Sequence, residues 1–353
     1  MGNMRKRARC LLLLVLFVLF LTANIFASSF PISYYDYLNF SNNFSAEVAG
    51  SGGLNLTRPH STDTSYYNPA LLAFRETTTI SMTYRYLFEK ERVYDNLHIP
   101  ERGSTDWDKD DFCYLGIDSE NVGFSYLSFA SLQLDRIVEN NGVTERHYID
   151  YYLNGYRVSF ADRSGLLAFG LNLTLLSGRV VYFRDSILEK GERRGTTGDF
   201  IDSRGWGYNL DFGAAVKNGS MSYGLTIPNI LGKVYWRDNP DYSLQRRFNL
   251  GIQYGTDRDF ITFGLSRKFN FSSNSTYHLG LQQLISFGLL RGEYQFMPLR
   301  LGLFSEKFTR IKDLGYSIGT GYTYKILQID VSYMMLDQEK NRHTILMTLS
   351  VGL

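Results

Sequence analysis

The chain has 353 residues, a formal net charge of +2 and a mean hydropathy of −0.20, although 44% of its residues are hydrophobic. This near-neutral balance lacks the basic excess of a nucleic-acid-binding protein, so we expect no nucleic-acid partner. Aromatic residues reach 15% and glycine numbers 32. Beyond residue 27, no apolar run approaches the roughly 20 residues that a spanning helix requires.

The N-terminus has the three parts of a secretory signal peptide. Four basic residues between positions 5 and 9 precede an unbroken apolar run at 11–21, and small residues follow up to Ala27. We predict that residues 1–27 are a signal peptide; a retained anchor is the alternative, but the run is short for one. Loss of this leader leaves a net charge of about −2 and Cys113 as the sole cysteine, which excludes an internal disulfide.

Residues 28–76 form a polar segment. Near its end lies the stretch of Tyr66, Tyr67, Asn68, Pro69 and Ala70. Proline fixes its own φ and pushes the residue before it out of the helical region, so the pair of Asn68 and Pro69 predicts a tight corner before a first strand at residue 77. This corner is either a simple connection or the end of an N-terminal plug. Turn chemistry does not decide between the two.

From residue 77 to the C-terminus, apolar and polar residues alternate with a period of two. In the first segment, for example, Ile80, Met82 and Tyr84 alternate with Ser81 and Thr83. One face is aliphatic and aromatic, whereas the other carries mostly Ser, Thr, Gly and Asn; a soluble β-sandwich, the alternative, usually carries charges on its polar face. Because backbone groups in lipid find no water, such a sheet must close on itself. We therefore predict an all-β fold, a transmembrane antiparallel β-barrel over residues 77–353 in the outer membrane.

The segments suggest the number of strands. Alternating segments lie near 77–88, 111–118, 122–132, 147–162, 166–183, 204–217, 221–229, 245–257, 259–269, 276–286, 288–296, 298–308, 314–325, 327–336 and 342–353. Since single-chain bacterial barrels have even strand numbers, we predict about 14 strands. The longer polar connections lie at 96–111, 133–146, 185–204 and 231–244. They predict one rim of long loops, opposite a rim of short turns.

The sequence carries no signature of catalysis or metal binding. No nucleophile elbow or phosphate loop is present. The histidines lack ligand spacing; they are His60, His98, His147, His278 and His343. We predict that the protein is not an enzyme and that it has no metal site and no cofactor.

Several apolar residues fall on the inward, otherwise polar face by the parity of their strands. They are Leu87, Leu115, Leu127, Phe304, Met334 and Leu346. These residues either pack a plug and fill a narrow barrel or form an apolar path for a ligand. Such a path favours a lipid over a sugar or an ion.

The stretch 66–72, with the Gly-rich residues 50–53 and Asp63 before it, resembles the end of the plug in the FadL family of outer-membrane transporters for long-chain fatty acids and aromatic hydrocarbons. The matching residues are Tyr66, Tyr67, Asn68, Pro69 and Ala70. The resemblance implies that residues 28–76 are a plug inside a 14-stranded barrel and that these five residues form its gate.

The same resemblance implies passive import of hydrophobic small molecules, above all long-chain fatty acids, by a monomer. Outer-membrane lipids and the barrel assembly machinery would be its other partners. The chain is also similar to the PorV group and to spirochaete-type barrels, which implies a non-transport alternative, either a membrane anchor or shuttle for secreted proteins or a surface adhesin. A polar-solute porin is a third interpretation.

Overall fold

The computed structural model describes residues 43–88, 111–140, 143–188, 199–238, 241–269, 275–290, 293–305, 314–337 and 342–353. The predicted signal peptide and residues 28–42 of the predicted plug lie outside this part of the chain. So do residues 96–110 of the predicted connection at 96–111, whose last residue begins a strand. In the described part, no helix has both the length and the apolar character that a membrane crossing requires.

Among the described residues, fourteen long antiparallel strands close into a barrel. They are β1 (Thr79–Phe88), β2 (Asp111–Asp118), β3 (Val122–Asn140), β4 (Val143–Ser164), β5 (Leu167–Leu188), β6 (Asp199–Asn218), β7 (Met221–Trp236), β8 (Arg247–Gly255), β9 (Phe260–Lys268), β10 (Ser275–Leu290), β11 (Glu293–Ser305), β12 (Gly315–Tyr324), β13 (Leu327–Asp337) and β14 (Arg342–Gly352). Each strand pairs with the next, and β14 pairs with β1 to close the sheet. A two-residue strand, Tyr242–Ser243, adds to β7. The predicted all-β barrel of about 14 strands is confirmed.

The period-two alternation divides the barrel wall into an apolar outer face and a polar inner face. On β1, Ile80, Met82 and Tyr84 are exposed on the outside, whereas Ser81 and Thr83 are buried inside. The outer face of the other strands is likewise covered by exposed aliphatic and aromatic side chains. A surface of this kind is stable in lipid rather than in water, which makes the barrel a transmembrane one.

Two predicted strand boundaries, near Gly288 and Pro298, were wrong. The three segments predicted over 276–308 are two strands, β10 and β11. Gly288 has a φ of 102° at a bulge inside β10, where the register shifts after Ser286. Pro298 lies inside β11 and pairs with Leu284, but the ladder to β12 is interrupted there. The missing N–H of proline is tolerated because no ladder bond is required at that point.

Several predicted loops are strand extensions. The predicted connection 133–146 is largely the hairpin of β3 and β4, with only residues 141–142 between the two strands. β5, β6 and β7 also run further than their apolar segments. The prediction relied on lipid-facing alternation, whereas a sheet continues into water wherever its backbone groups stay paired.

Leu115 does not lie on the inner face, so its predicted orientation was wrong. Its side chain is 43% exposed on the outside of the barrel. The cause is a bulge in β2, where Cys113 is left out of the pairing with β1 and both Cys113 and Tyr114 are buried. One extra residue on one strand reverses the parity of every residue beyond it.

The apolar outer face gives a first prediction. Ile318, at the middle of β12, and Ile326, at the turn before β13, are both outward and exposed. We expect Ile318→Arg to destabilise the barrel by about 2–4 kcal/mol, because it places a charge at the depth of the hydrocarbon core, and Ile326→Arg to cost about 0–1 kcal/mol. Denaturant unfolding from liposomes measures both. Equal effects would contradict the assignment of a lipid-facing band.

Candidate functional site

Residues 43–75, which we call the inner segment, occupy the lumen of the barrel. They contain α1 (Ala46–Gly50), α2 (Thr64–Tyr67) and a 3-10 helix (Pro69–Phe74). α1 packs against β11 to β14, and the 3-10 helix packs against β4 to β6 on the other side. The inner segment therefore crosses the lumen from wall to wall. This is the position expected of the predicted plug; its role as a gate stays a prediction.

Asn68 joins two helices rather than a loop and a strand. It ends α2 with an extended backbone, and Pro69 then begins the 3-10 helix. The Asn68 Oδ1 atom accepts a hydrogen bond from the backbone N–H of Ala70 (3.1 Å), which caps that helix. Proline suits the first helical position because its missing N–H is not needed there. The predicted corner is present, but a helix follows it before β1 begins.

The amide nitrogen of Asn68 ties this corner to its surroundings. Asn68 Nδ2 donates to the carbonyl oxygen of Leu56 (2.8 Å) in the inner segment and to that of Ala214 (3.2 Å) on β6. The side chain is fully buried. Because a buried carbonyl that loses its donor is costly, Asn68 holds both the shape of the inner segment and its contact with the wall.

Two inward glycines of the wall make room for the corner. Gly170 on β5 and Gly213 on β6 are direct cross-strand partners. A β-carbon at Gly213 would overlap Asn68 Oδ1 and lie 2.9 Å from Pro69 Cδ, and one at Gly170 would overlap the backbone N of Ala70. Asn68, Pro69 and Ala70 thus lie directly on the backbone of the wall.

The two tyrosines before the corner belong to an aromatic cluster with Phe44. The ring of Tyr66 lies 4.6 Å from that of Phe44 and 4.9 Å from that of Tyr67. The Tyr67 hydroxyl accepts from the N–H of Phe44 and donates to Asn43 Oδ1, both at 3.2 Å. Burial raises the pKa of Tyr66 to about 12, so its phenol stays neutral.

An ion pair between Arg157 on β4 and Asp211 on β6 fixes the wall beside Tyr66. Arg157 Nη2 lies 3.0 Å from Asp211 Oδ2, and its Nη1 donates to the Tyr66 carbonyl (3.3 Å). Asp211 Oδ1 also accepts from Asn209 Nδ2 and from the N–H of Asn229, both at 2.8 Å. Both charged groups are buried. The ion pair and the additional hydrogen bonds of each group offset the free-energy cost of removing them from water.

A cavity of about 160 Å³ lies between the inner segment and the wall. One part of its lining is aromatic and apolar, with Tyr66, Tyr67 and Phe129. Another part is polar and carries both signs of charge, with Arg157, Asp211 and His278. The cavity therefore suits a compact molecule that has both an apolar part and a polar part.

The six predicted path residues have different positions. Phe304 and Met334 are buried and line the cavity. Leu346 is buried in a cluster with Ala46 and Ala49 of the inner segment, so it packs that segment. Leu127 is buried on β3 next to Tyr114.

Leu115 is outside the barrel, and the side chain of Leu87 lies beyond the described part of the chain. Whether the inward residues form a ligand path stays a prediction.

An inward apolar cluster towards the long-loop end was missed by the sequence analysis. It consists of Tyr151, Leu153, Leu176, Val180, Val234 and Trp236, all buried. The indole of Trp236 lies 3.1 Å from the position that a β-carbon would take at Gly178. The prediction ended β7 at residue 229 and so did not reach Trp236. Parity along β4 and β5 could have identified Leu153 and Leu176.

The contact between the Asn68 corner and the two wall glycines gives a second prediction. We expect Gly213→Ala to destabilise the barrel by about 1–3 kcal/mol and to expose the inner segment to protease, because the new methyl group overlaps Asn68. Gly352→Ala is the matched control, since its β-carbon would meet no atom closer than 3.9 Å. Thermal unfolding and limited proteolysis measure the difference. The same behaviour in both variants would contradict this packing.

Comparison with known proteins identifies similar folds at low identity. No protein-family model matches the sequence, and no curated protein matches it. Among solved structures, a Pseudomonas aeruginosa FadL homologue is similar, with a TM-score of 0.56 and 11% identity over 87% of this chain and 97% of that one. The Ralstonia pickettii toluene transporter TbuX gives a TM-score of 0.57 and 10% identity over 88% and 97%.

The P. putida toluene transporter TodX gives a TM-score of 0.53 and 10% identity over 88% of this chain and 98% of that one. At this level of identity the likeness is one of fold. The chain therefore shares the architecture of these three barrels over nearly their whole length.

Proposed function

We propose that this protein is an outer-membrane barrel that passively imports hydrophobic small molecules and has no enzymatic activity. The observation that carries the proposal is the partly apolar cavity between the inner segment and the wall. A lumen occupied by residues 43–75 suits a selective carrier better than an open polar pore. The similar folds include two proteins described as toluene transporters, which supports the same class of cargo.

The proposed route begins at the rim of long connections, which faces the outside in barrels of this kind. A hydrophobic molecule first meets the apolar cluster around Trp236 and Leu176 and then enters the cavity beside Tyr66 and Phe129. The inner segment closes the way further in. The molecule leaves either sideways through the wall or inward when the inner segment shifts, and Asn68 is the proposed control point of that shift.

Long-chain fatty acids are the cargo implied by the resemblance to the FadL family. Their carboxylate would have to share Arg157 with Asp211, which lines the same cavity. Their chain would need more room than the cavity offers unless the inner segment moves. A compact single-ring compound is the second candidate. A volume of about 160 Å³ is close to the roughly 150 Å³ of an apolar cavity that holds benzene.

Uptake by proteoliposomes tests the proposal and separates the two cargoes. We expect toluene, a long-chain fatty acid or both to enter faster than in protein-free vesicles. Thr276→Trp should slow uptake because Thr276 lines the cavity, whereas Thr320→Trp should not, because Thr320 faces lipid. No uptake of either compound by the wild type would refute import. Stable co-purification with a secretion complex would then favour the anchor or shuttle alternative.

Replacement of Asn68 tests the control point. Asn68→Ala removes two donors and a helix cap, so we expect a loss of about 1–3 kcal/mol and a looser inner segment. Thermal unfolding and the rate of uptake are the measurements. Asn172→Ala also removes a hydrogen bond between the wall and the inner segment. It is the control that shows whether any loss of contact between the two changes the uptake rate. An unchanged rate in Asn68→Ala would exclude a gate at this corner.

A further inference from the structure

A hollow interrupts the lipid-facing side of the barrel. A closed barrel is convex on its outside, yet β2 to β7 enclose a space of about 820 Å³ on their outer face. We call this space the outer groove. Outward apolar side chains dominate its lining, among them Leu115, Phe124, Val158, Leu173, Leu175 and Leu210.

The outer groove lies at the depth of the membrane hydrocarbon. Its edge towards the long connections is a row of cross-strand partners, Tyr156, Leu175 and Tyr208. Leu175 is eight residues beyond Leu167, where β5 begins after a short turn. At about 3.3 Å per residue and a tilt of about 40°, that edge is about 20 Å above the turn, within an apolar band of roughly 25 Å. Since an empty hollow forfeits dispersion contacts, hydrocarbon chains fill it.

Aromatic side chains follow directly above this edge. Trp206 lies two residues from Tyr208 along β6 and is 63% exposed. Its cross-strand partner is Tyr235 on β7, and the two rings stack with their centres 4.8 Å apart. Such aromatic residues mark the boundary between hydrocarbon and headgroups on a barrel wall. The boundary therefore lies at the level of Trp206.

Three arginines lie side by side one step further from the hydrocarbon. Arg179 on β5 and Arg204 on β6 are direct cross-strand partners, and Arg204 has the outward parity of Trp206. Arg237 follows the last residue of β7, and its N–H donates to the carbonyl oxygen of Arg204 (3.0 Å). Arg204 and Arg237 are both exposed. We call Arg179, Arg204 and Arg237 the arginine row.

The charges of the arginine row are only partly balanced. Arg179 Nε and Nη2 donate to the two carboxylate oxygens of Asp202, both at 2.8 Å. Asp150, the other carboxylate near Arg179, lies on β4, at the far side from Arg237. Arg204 and Arg237 form no ion pair with any residue that the structure describes. Like charges directly opposite each other on neighbouring strands are destabilising, and an anion between them removes that repulsion.

The outer groove and the arginine row match the two parts of one ligand. We propose that together they bind an anionic membrane lipid, with its acyl chains in the outer groove and its phosphate between Arg204 and Arg237. Planar guanidinium groups bind phosphate oxygens in a bidentate manner.

The level of the arginine row suits a lipid headgroup. Arg204 is two residues beyond Trp206 along β6. This places it about 5 Å further from the hydrocarbon, within a headgroup layer of roughly 5–8 Å on each side of a bilayer. The guanidinium groups therefore lie where the phosphate of a lipid lies when its chains reach the outer groove.

This site is distinct from the proposed import route. It faces the membrane, and the inner segment contributes no residue to the lining of the outer groove. A hydrophobic molecule that leaves sideways through the wall has no charge for the arginine row to bind. A dependence on the arginines therefore distinguishes a bound lipid from a passing cargo molecule.

Retention of lipid by the full chain in a neutral detergent tests the arginine row. Native mass spectrometry counts the bound lipid during titration with phosphatidylglycerol or phosphatidylcholine. We expect the wild type to retain phosphatidylglycerol in preference, and an Arg204→Gln, Arg237→Gln double variant to bind it about 30-fold more weakly. Arg267→Gln is the matched control and should bind it like the wild type, because Arg267 is an exposed arginine on β9, away from the outer groove.

A second pair of variants tests the outer groove. Val158→Trp fills part of it, so we expect phosphatidylglycerol to bind about tenfold more weakly. Val331→Trp adds the same side chain at an exposed valine on β13, outside the outer groove, and should leave binding unchanged. The thermal unfolding of each variant shows that it is folded.

Four results would overturn the inference. The first is equal retention of the two lipids by the wild type, which needs no variant. The second is unchanged phosphatidylglycerol binding in the folded double arginine variant. The third is an equal loss of binding in Arg267→Gln. The fourth is equal binding by Val158→Trp and Val331→Trp, which would remove the acyl chains from the outer groove.

Discussion

The close approach of one backbone to another holds this molecule together. At Gly170 and Gly213 the wall has no side chains, so the corner at Asn68 and Pro69 lies directly on it. Across the lumen, a β-carbon at Gly280 would overlap the carbonyl oxygen of Ser51. The inner segment is therefore held by contact over its length rather than by one anchor, and any larger residue at these positions would push it away from the wall.

Buried ion pairs stabilise the inner segment and the wall separately. Arg58 pairs with Glu47 within the inner segment at 2.8 Å, and the wall has its own pair between Arg157 and Asp211. Because each charge has its partner on the same body, these pairs do not bridge the two bodies directly. A buried pair is weak support for stability but costly to break. The pairs keep the inner segment and the wall intact as units, and charged groups of the wall also reach the inner segment, as Arg157 does at the Tyr66 carbonyl oxygen.

The lumen is therefore divided by chemistry. Aromatic and apolar groups around Tyr66 and Phe129 line the cavity on the proposed hydrophobic route. Elsewhere the inner segment meets the wall through polar groups, as where the N–H of Ser65 donates to Asp118 Oδ2.

The sequence by itself determined the barrel, because lipid on one face and a lumen on the other impose a period of two that no helix shares. It also located the corner at Asn68, since the turn chemistry of proline is local. Only the tertiary structure decided the inward side of Leu115, the strand through Pro298 and the apolar cluster at Trp236. Each depends on a bulge, an interrupted ladder or a cross-strand neighbour, and these are properties of how strands pair rather than of any one strand.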